Sequence, residues 1–189
     1  MCGDGAERPE GYPKREIGTV KTKKLVYGGV LIALGVLIPQ AFHGFGENAG
    51  MIFLPMHIPV FIAGLLLGPV YGGTIGALVP VLSFMMAGMP AVPKLYFMVV
   101  ELLGYGILSG ILSKRCHIYA GLIGAMAGGR LLYGAALAVG AKVFNLHAPF
   151  VSMSAFAGGI ITGIPGMIIQ VVLVPVLIYG LRKGGFTFD

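Results

Sequence analysis

From residue 24 onward the apolar residues come in long blocks punctuated by Pro, Gly and charge, with neither the alternation of a half-buried strand nor the narrow stripe of a surface helix. The blocks cover 24–41, 53–68, 70–88, 94–113, 119–142 and 156–181. Each approaches the roughly 20 mostly apolar residues that one helix needs to cross a bilayer. The pattern predicts an all-α membrane protein, a single bundle of six transmembrane helices. Only Gly68 and Pro69 separate the second block from the third, so a tight turn or a helix that stops short is expected there. Residues 1–23 mix charges of both signs with prolines and read as a flexible tail with almost nothing to bury; residues 182–189 read as a second, cytoplasmic tail.

Composition agrees with a lipid solvent. Hydrophobic residues make up 57% of the chain and charged residues 11%, against about 25% charged in an ordinary soluble domain. Mean hydropathy is +0.91. The 32 glycines, without a collagen repeat, suit helices whose backbones approach closely.

The formal charge of +6 is a topology signal. Lys14, Arg15, Lys21, Lys23 and Lys24 precede the first helix, Lys114 and Arg115 follow the fourth, and Arg182 and Lys183 follow the sixth, all on one side of a six-span bundle. The opposite connections, 42–52, 89–93 and 143–155, contain no Lys or Arg, although Lys94 and Lys142 flank them. Basic loops stay in the cytoplasm, so both termini are expected inside. The basic residues form no groove or stripe, and no nucleic-acid partner is expected. Cys2 and Cys116 fall on the reducing side without metal-ligand spacing, so no disulfide, metal site or cofactor is expected.

Candidate chemistry starts from the residues that cost energy where they sit. Glu101 and Arg130 are the formal charges near membrane depth, each costing about 2.5–3.5 kcal/mol at a helix centre. Glu101 lies about 10 Å down the fourth helix from its outer end and Arg130 lies in the middle of the fifth. Two readings stay open: a structural ion pair between neighbouring helices, or a ligand clamp. Lys94, Met98, Glu101 and Tyr105 recur at spacings that put them on one helix face. Taken singly, Lys94 is a snorkelling lysine and Tyr105 a packed aromatic; their alignment with Glu101 makes the set a candidate wall of a site.

The outer connections are polar or Gly-rich with aromatics interleaved, as in 42–52, or carry Asn145, His147, Ser152 and Ser154, as in 143–155. Such segments can close over a cavity. His57 stands between Pro55 and Pro59, where backbone carbonyls are freed, and Gln170 is embedded in the sixth helix; each is a candidate ligand group or a hydrogen-bonded structural residue. Small residues recur every fourth position at Gly29 and Ala33, at Gly68, Gly72 and Gly76, and at Gly124 and Gly128, which marks close helix approach inside the bundle or against a partner.

No GxxxxGK[ST] loop, HExxH, paired acidic motif or Gly-x-Ser-x-Gly nucleophile occurs. The chain is not expected to be an enzyme or to hydrolyse ATP itself. A self-sufficient ion-coupled secondary transporter or channel, with Glu101 and Arg130 as a relay, is the alternative from another class, and a membrane enzyme on lipid or prenyl substrates is a third.

The series Phe53-Leu-Pro-Met-His-Ile-Pro-Val60, Ala63-Gly-Leu-Leu-Leu-Gly-Pro69, Leu82-Ser83, Gly88-Met-Pro90 and Glu101-Leu-Leu-Gly-Tyr-Gly106 resembles the substrate-binding S components of energy-coupling-factor (ECF) vitamin transporters, over about residues 24–181. The resemblance implies a six-helix protein of a prokaryotic cell membrane, in contact with membrane lipid. Such a protein captures a water-soluble vitamin or precursor at its outer face and works with a transmembrane coupling protein and two ATPase subunits. It implies a site made by His43, Glu47 and Asn48 of a lid, Lys94 and Glu101 of the fourth helix, Arg130 and Tyr133 of the fifth, and Asn145 and His147 of the last outer loop. It also implies a coupling-protein docking stripe on the first helix, matched here by Gly29 and Ala33, with glycine in place of the usual first alanine. The absence of Trp speaks against the thiamine branch, and the mixture of Glu, Arg, His, Asn and Tyr favours a cobalamin precursor or another nucleoside-like ligand.

Overall fold

The computed structural model describes residues 14–43, 49–115, 117–143 and 153–184. Among these the chain is helical and contains no strand: α1 Lys14–His43, α2 Ala49–Phe53, α3 His57–Leu67, α4 Pro69–Ala87, α5 Lys94–Leu112, α6 Ile118–Val143 and α7 Met153–Lys183. Six stretches are long and apolar enough to span a membrane, with α2 and α3 together making the second. The six expected blocks are therefore present, although α1 begins at Lys14, ahead of the expected 24, and α7 extends past its expected ends.

The second block differs from the expected continuous helix over 53–68. It starts earlier, as α2, and is interrupted at Leu54–Met56. Pro55 explains the interruption: its ring disfavours helical geometry at the residue before it, and Leu54 adopts φ 49°. The Leu54 amide closes α2 by donating to the Gly50 carbonyl at 3.1 Å, and the Leu54 carbonyl accepts from the His57 amide at 3.1 Å as α3 begins. The turn expected at Gly68 is present. Its φ of 99° is open to glycine and strained for other residues, and Pro69 starts α4 at a position where no amide hydrogen is missed.

The core is built around α3, all of which except Ile58 and Leu66 is buried. It packs on α4, α5, α1 and α7, while α6 lies against α5. Between α3, α4 and α5 the contact is backbone on backbone: a Cβ added at Gly64, Gly72, Gly76, Gly106 or Gly110 would run into main-chain atoms of a neighbouring helix. Gly72 and Gly76 thus serve packing inside the bundle, and Gly124 and Gly128 do the same against Leu112 and Leu108 of α5. Gly29 differs: nothing lies within 4 Å of the Cβ it lacks, and with Ala33 it sits on an exposed face of α1. Leu25, Val26 and Val30 of α1 and Ile161, Ile168 and Val172 of α7 are exposed, as lipid-facing side chains should be.

Candidate functional site

A cavity of about 500 Å³ opens at one end of the bundle. Its lining comes from the end of α1, α2, the Leu54–Met56 break, Ser83 of α4, the 89–91 turn, the first half of α5, the middle of α6 and the first turns of α7. The chain runs so that Lys114, Arg115, Arg182 and Lys183 lie toward the opposite end. The break in the second span makes the room: by ending α2 and restarting at His57, the chain turns Leu54, Pro55, Met56 and His57 toward the cavity.

Glu101 and Arg130 meet on its wall. Arg130 Nη1 lies 3.0 Å from Glu101 Oε1, with the carboxylate side chain 4% exposed and the guanidinium side chain 15%. Tyr105, one turn below Glu101 on the same face of α5, donates its hydroxyl to that same oxygen at 2.8 Å. Its ring is seated where Gly129 of α6 has no side chain and packs on Phe61 at 5.0 Å between centroids and on His57 at 5.1 Å. The carboxylate is thereby held by two donors before any ligand arrives. Arg130 Nε has no hydrogen-bond partner.

Lys94, Met98 and Glu101 line the cavity in sequence down α5, as their spacing predicts. Lys94 is half-buried, and its Nζ lies 3.9 Å from Met51 Sδ. His57 lines the cavity while only 3% exposed, and neither ring nitrogen has a hydrogen-bond partner. Tyr133 also lines it and stacks on Phe156 of α7, centroids 6.1 Å apart and planes 22° from parallel.

Other sequence candidates lie elsewhere. Tyr105 is 2% exposed and stands behind Glu101, so it orients the carboxylate from outside the cavity lining. Gln170 is also outside the lining: its Nε2 donates to the Leu54 carbonyl at 3.1 Å, satisfying the backbone at the break. One turn earlier, a Cβ on Gly166 would stand 2.5 Å from the Ile52 carbonyl oxygen, so Gly166 and Gln170 together let α7 hold the break. His43 is the last residue of α1. Glu47, Asn48, Asn145 and His147 lie outside the described residues.

Sequence reading missed Met51, Met56, Met89, Phe156 and Thr162, all of which line the cavity. Phe156 lay at the very edge of a predicted span, and three methionines near the connections, with Met98, were the available signal. An unbranched thioether adapts to irregular surfaces, which makes methionine a frequent lining of binding sites.

Neither a curated protein nor a solved structure matches the chain. The family described as "ECF transporter, substrate-specific component" matches residues 23–178, which is most of the sequence and takes in every described residue that lines the cavity. Members of this family bind a small-molecule substrate for uptake, associate with ECF membrane and ATPase components, and are not enzymes. On that match, and with its six membrane-spanning stretches, the chain belongs to the family of ECF transporter substrate-specific components.

Proposed function

We propose that this protein captures a water-soluble vitamin or vitamin precursor in the cavity between α2, α5, α6 and α7 and delivers it, chemically unchanged, into a prokaryotic cell. Uptake is driven by ATP hydrolysis in two partner ATPases, relayed by a transmembrane coupling protein. The observation that carries this reading is the cavity itself, apolar over most of its lining, with a buried ion pair and an unpartnered histidine converging on it. A volume of about 500 Å³ suits a ligand up to the size of a nucleoside and is small for a corrin ring, so a cobalamin precursor would be one of the smaller ones. The basic helix ends support a topology with both termini in the cytoplasm and the cavity mouth outside. Gly29 and Ala33, on the exposed face of α1, form the docking stripe for the coupling protein. His43, Glu47, Asn48, Asn145 and His147 are kept as ligand-site candidates on the family resemblance alone.

The ion-coupled alternative asks for a polar path onward from Glu101. Below it the backbones of α3, α4 and α5 meet closely at their glycines. Ser109, the buried hydroxyl at that depth, donates to the Gly106 carbonyl of its own helix. This counts against a relay. Thermal stabilisation of the purified protein against a panel of water-soluble vitamins tests the proposal. A rise in melting temperature with one vitamin or a close set is expected. No response to any vitamin, together with gradient-driven uptake by the isolated chain in liposomes, would overturn it.

A further inference from the structure

Resting on the binding role proposed above, we infer that the ligand is a small organic monocarboxylate whose carboxylate pairs with Lys94 and whose other end carries a polar group for His57.

Charge balance comes first. Lys94, Arg130 and Glu101 are the formal charges among the described lining residues. Glu101 and Arg130 neutralise each other at 3.0 Å. Among the described lining residues one ammonium is left over. Its described contact is the Met51 thioether at 3.9 Å, a weak acceptor that carries no charge. Among the described residues no carboxylate lies within ion-pair distance of Lys94.

The position of Lys94 strengthens the point. It is the first residue of α5, whose first turn holds no acidic side chain. A cation there opposes the positive end of the helix dipole, whereas an anion beside Lys94 is favoured by both the ammonium and the helix start. Lys94 is therefore poorly placed to stabilise its own helix and well placed to meet an anion.

The deep end supplies the second contact. His57 carries one donor and one acceptor when neutral, and neither makes a hydrogen bond of good geometry in a residue 3% exposed. A buried polar group without a partner is costly, and a ligand amide, hydroxyl or ring nitrogen reaching it removes that cost. Met51, Met56, Met89 and Met98 line the same cavity, polarisable and adaptable side chains that suit an apolar or planar body.

An ammonium without a described carboxylate partner also selects between anions. A phosphate monoester brings about −1.5 to −2 at neutral pH and would leave a surplus negative charge in the cavity, whereas a carboxylate brings one.

The test compares matched acids and neutral analogues, nicotinate with nicotinamide, pantothenate with pantothenol, and biotin with biotinamide, with pyridoxal phosphate and pyridoxal as the phosphate arm. Binding is measured by calorimetry and thermal shift on the purified full chain and on Lys94→Met and Lys94→Arg. The expected result is that one acid binds at least tenfold more tightly than its neutral analogue. Lys94→Met should erase that preference without lowering the melting temperature of the free protein, and Lys94→Arg should largely keep it. The inference is overturned if a neutral analogue binds as tightly as its acid, if the phosphate ester is preferred, or if Lys94→Met still discriminates. Binding of a neutral vitamin that is indifferent to Lys94 would sink this inference and leave the vitamin-binding reading standing. Failure of every vitamin, acid or neutral, would remove both.

Discussion

Replacing Glu101 with Ala deletes the partner of a guanidinium that is only 15% exposed and withdraws the acceptor of the Tyr105 hydroxyl. Breaking a buried pair by removing one member costs about 3–5 kcal/mol, because the survivor remains charged and unpaired. Arg130 keeps some access to the cavity, which pulls the cost toward the lower figure, while stranding the hydroxyl of Tyr105 adds about 1–3 kcal/mol. For a chain of this length 1 kcal/mol corresponds to about 2–4 °C, so a combined cost of about 4–6 kcal/mol in Glu101→Ala should lower the melting temperature by on the order of 8–24 °C. Removing both charges, as Glu101→Leu with Arg130→Met, avoids the stranded ion and should recover much of that loss. Thermal unfolding of the parent, Glu101→Leu, Arg130→Met and the double variant in one detergent, with ligand affinity measured on each, completes the cycle. If Glu101→Ala melts within about 2 °C of the parent, the burial argument is wrong. If the double variant folds and binds ligand with unchanged affinity, the pair holds helices together and takes no part in recognition.

Other expectations follow from geometry. Gly166→Ala should cost about 1–3 kcal/mol, since its Cβ meets the rigid backbone at Ile52 and Phe53, whereas Gly158→Ala, with nothing within 4 Å, should be neutral or mildly stabilising; equal melting temperatures would refute the claim that α7 holds the break through Gly166. Gly29→Leu fills open space on α1, so ligand binding and melting should be unchanged while ATP-driven uptake with the coupling protein fails; normal uptake would remove this stripe from the docking face. In a cysteine-free background, Met89→Cys should react with an impermeant maleimide in intact cells and Lys114→Cys only in inverted vesicles, and the reverse pattern would invert the topology.

The sequence exposed the features that cost energy and hid those that do not. Glu101 and Arg130 stood out because charge in an apolar run is expensive, and they meet at 3.0 Å. Gly68 was legible as a turn because glycine and proline punctuate so strongly. The five residues of α2 were not, since a short helix in a Gly-rich segment leaves no periodicity to read. The methionines and Phe156 were equally opaque: apolar side chains inside apolar blocks look alike whether they face lipid, core or cavity. Gln170 shows the converse problem. Its burial was readable, but its partner, the Leu54 carbonyl, exists only because the chain breaks 116 residues earlier.

The glycine contacts among α3, α4 and α5 divide the cavity into a part that resists redesign and a part that invites it. On the α3 and α5 side, backbones touch directly, so enlarging a residue at those contacts displaces a helix. On the α7 side, Gly159 lines the cavity with nothing within 4 Å of its missing Cβ, and the methionine walls are unbranched. A change of ligand preference, in evolution or in the laboratory, therefore has its easiest route through Gly159 and the methionines, where volume can be added or removed while the frame that carries Glu101 stays fixed.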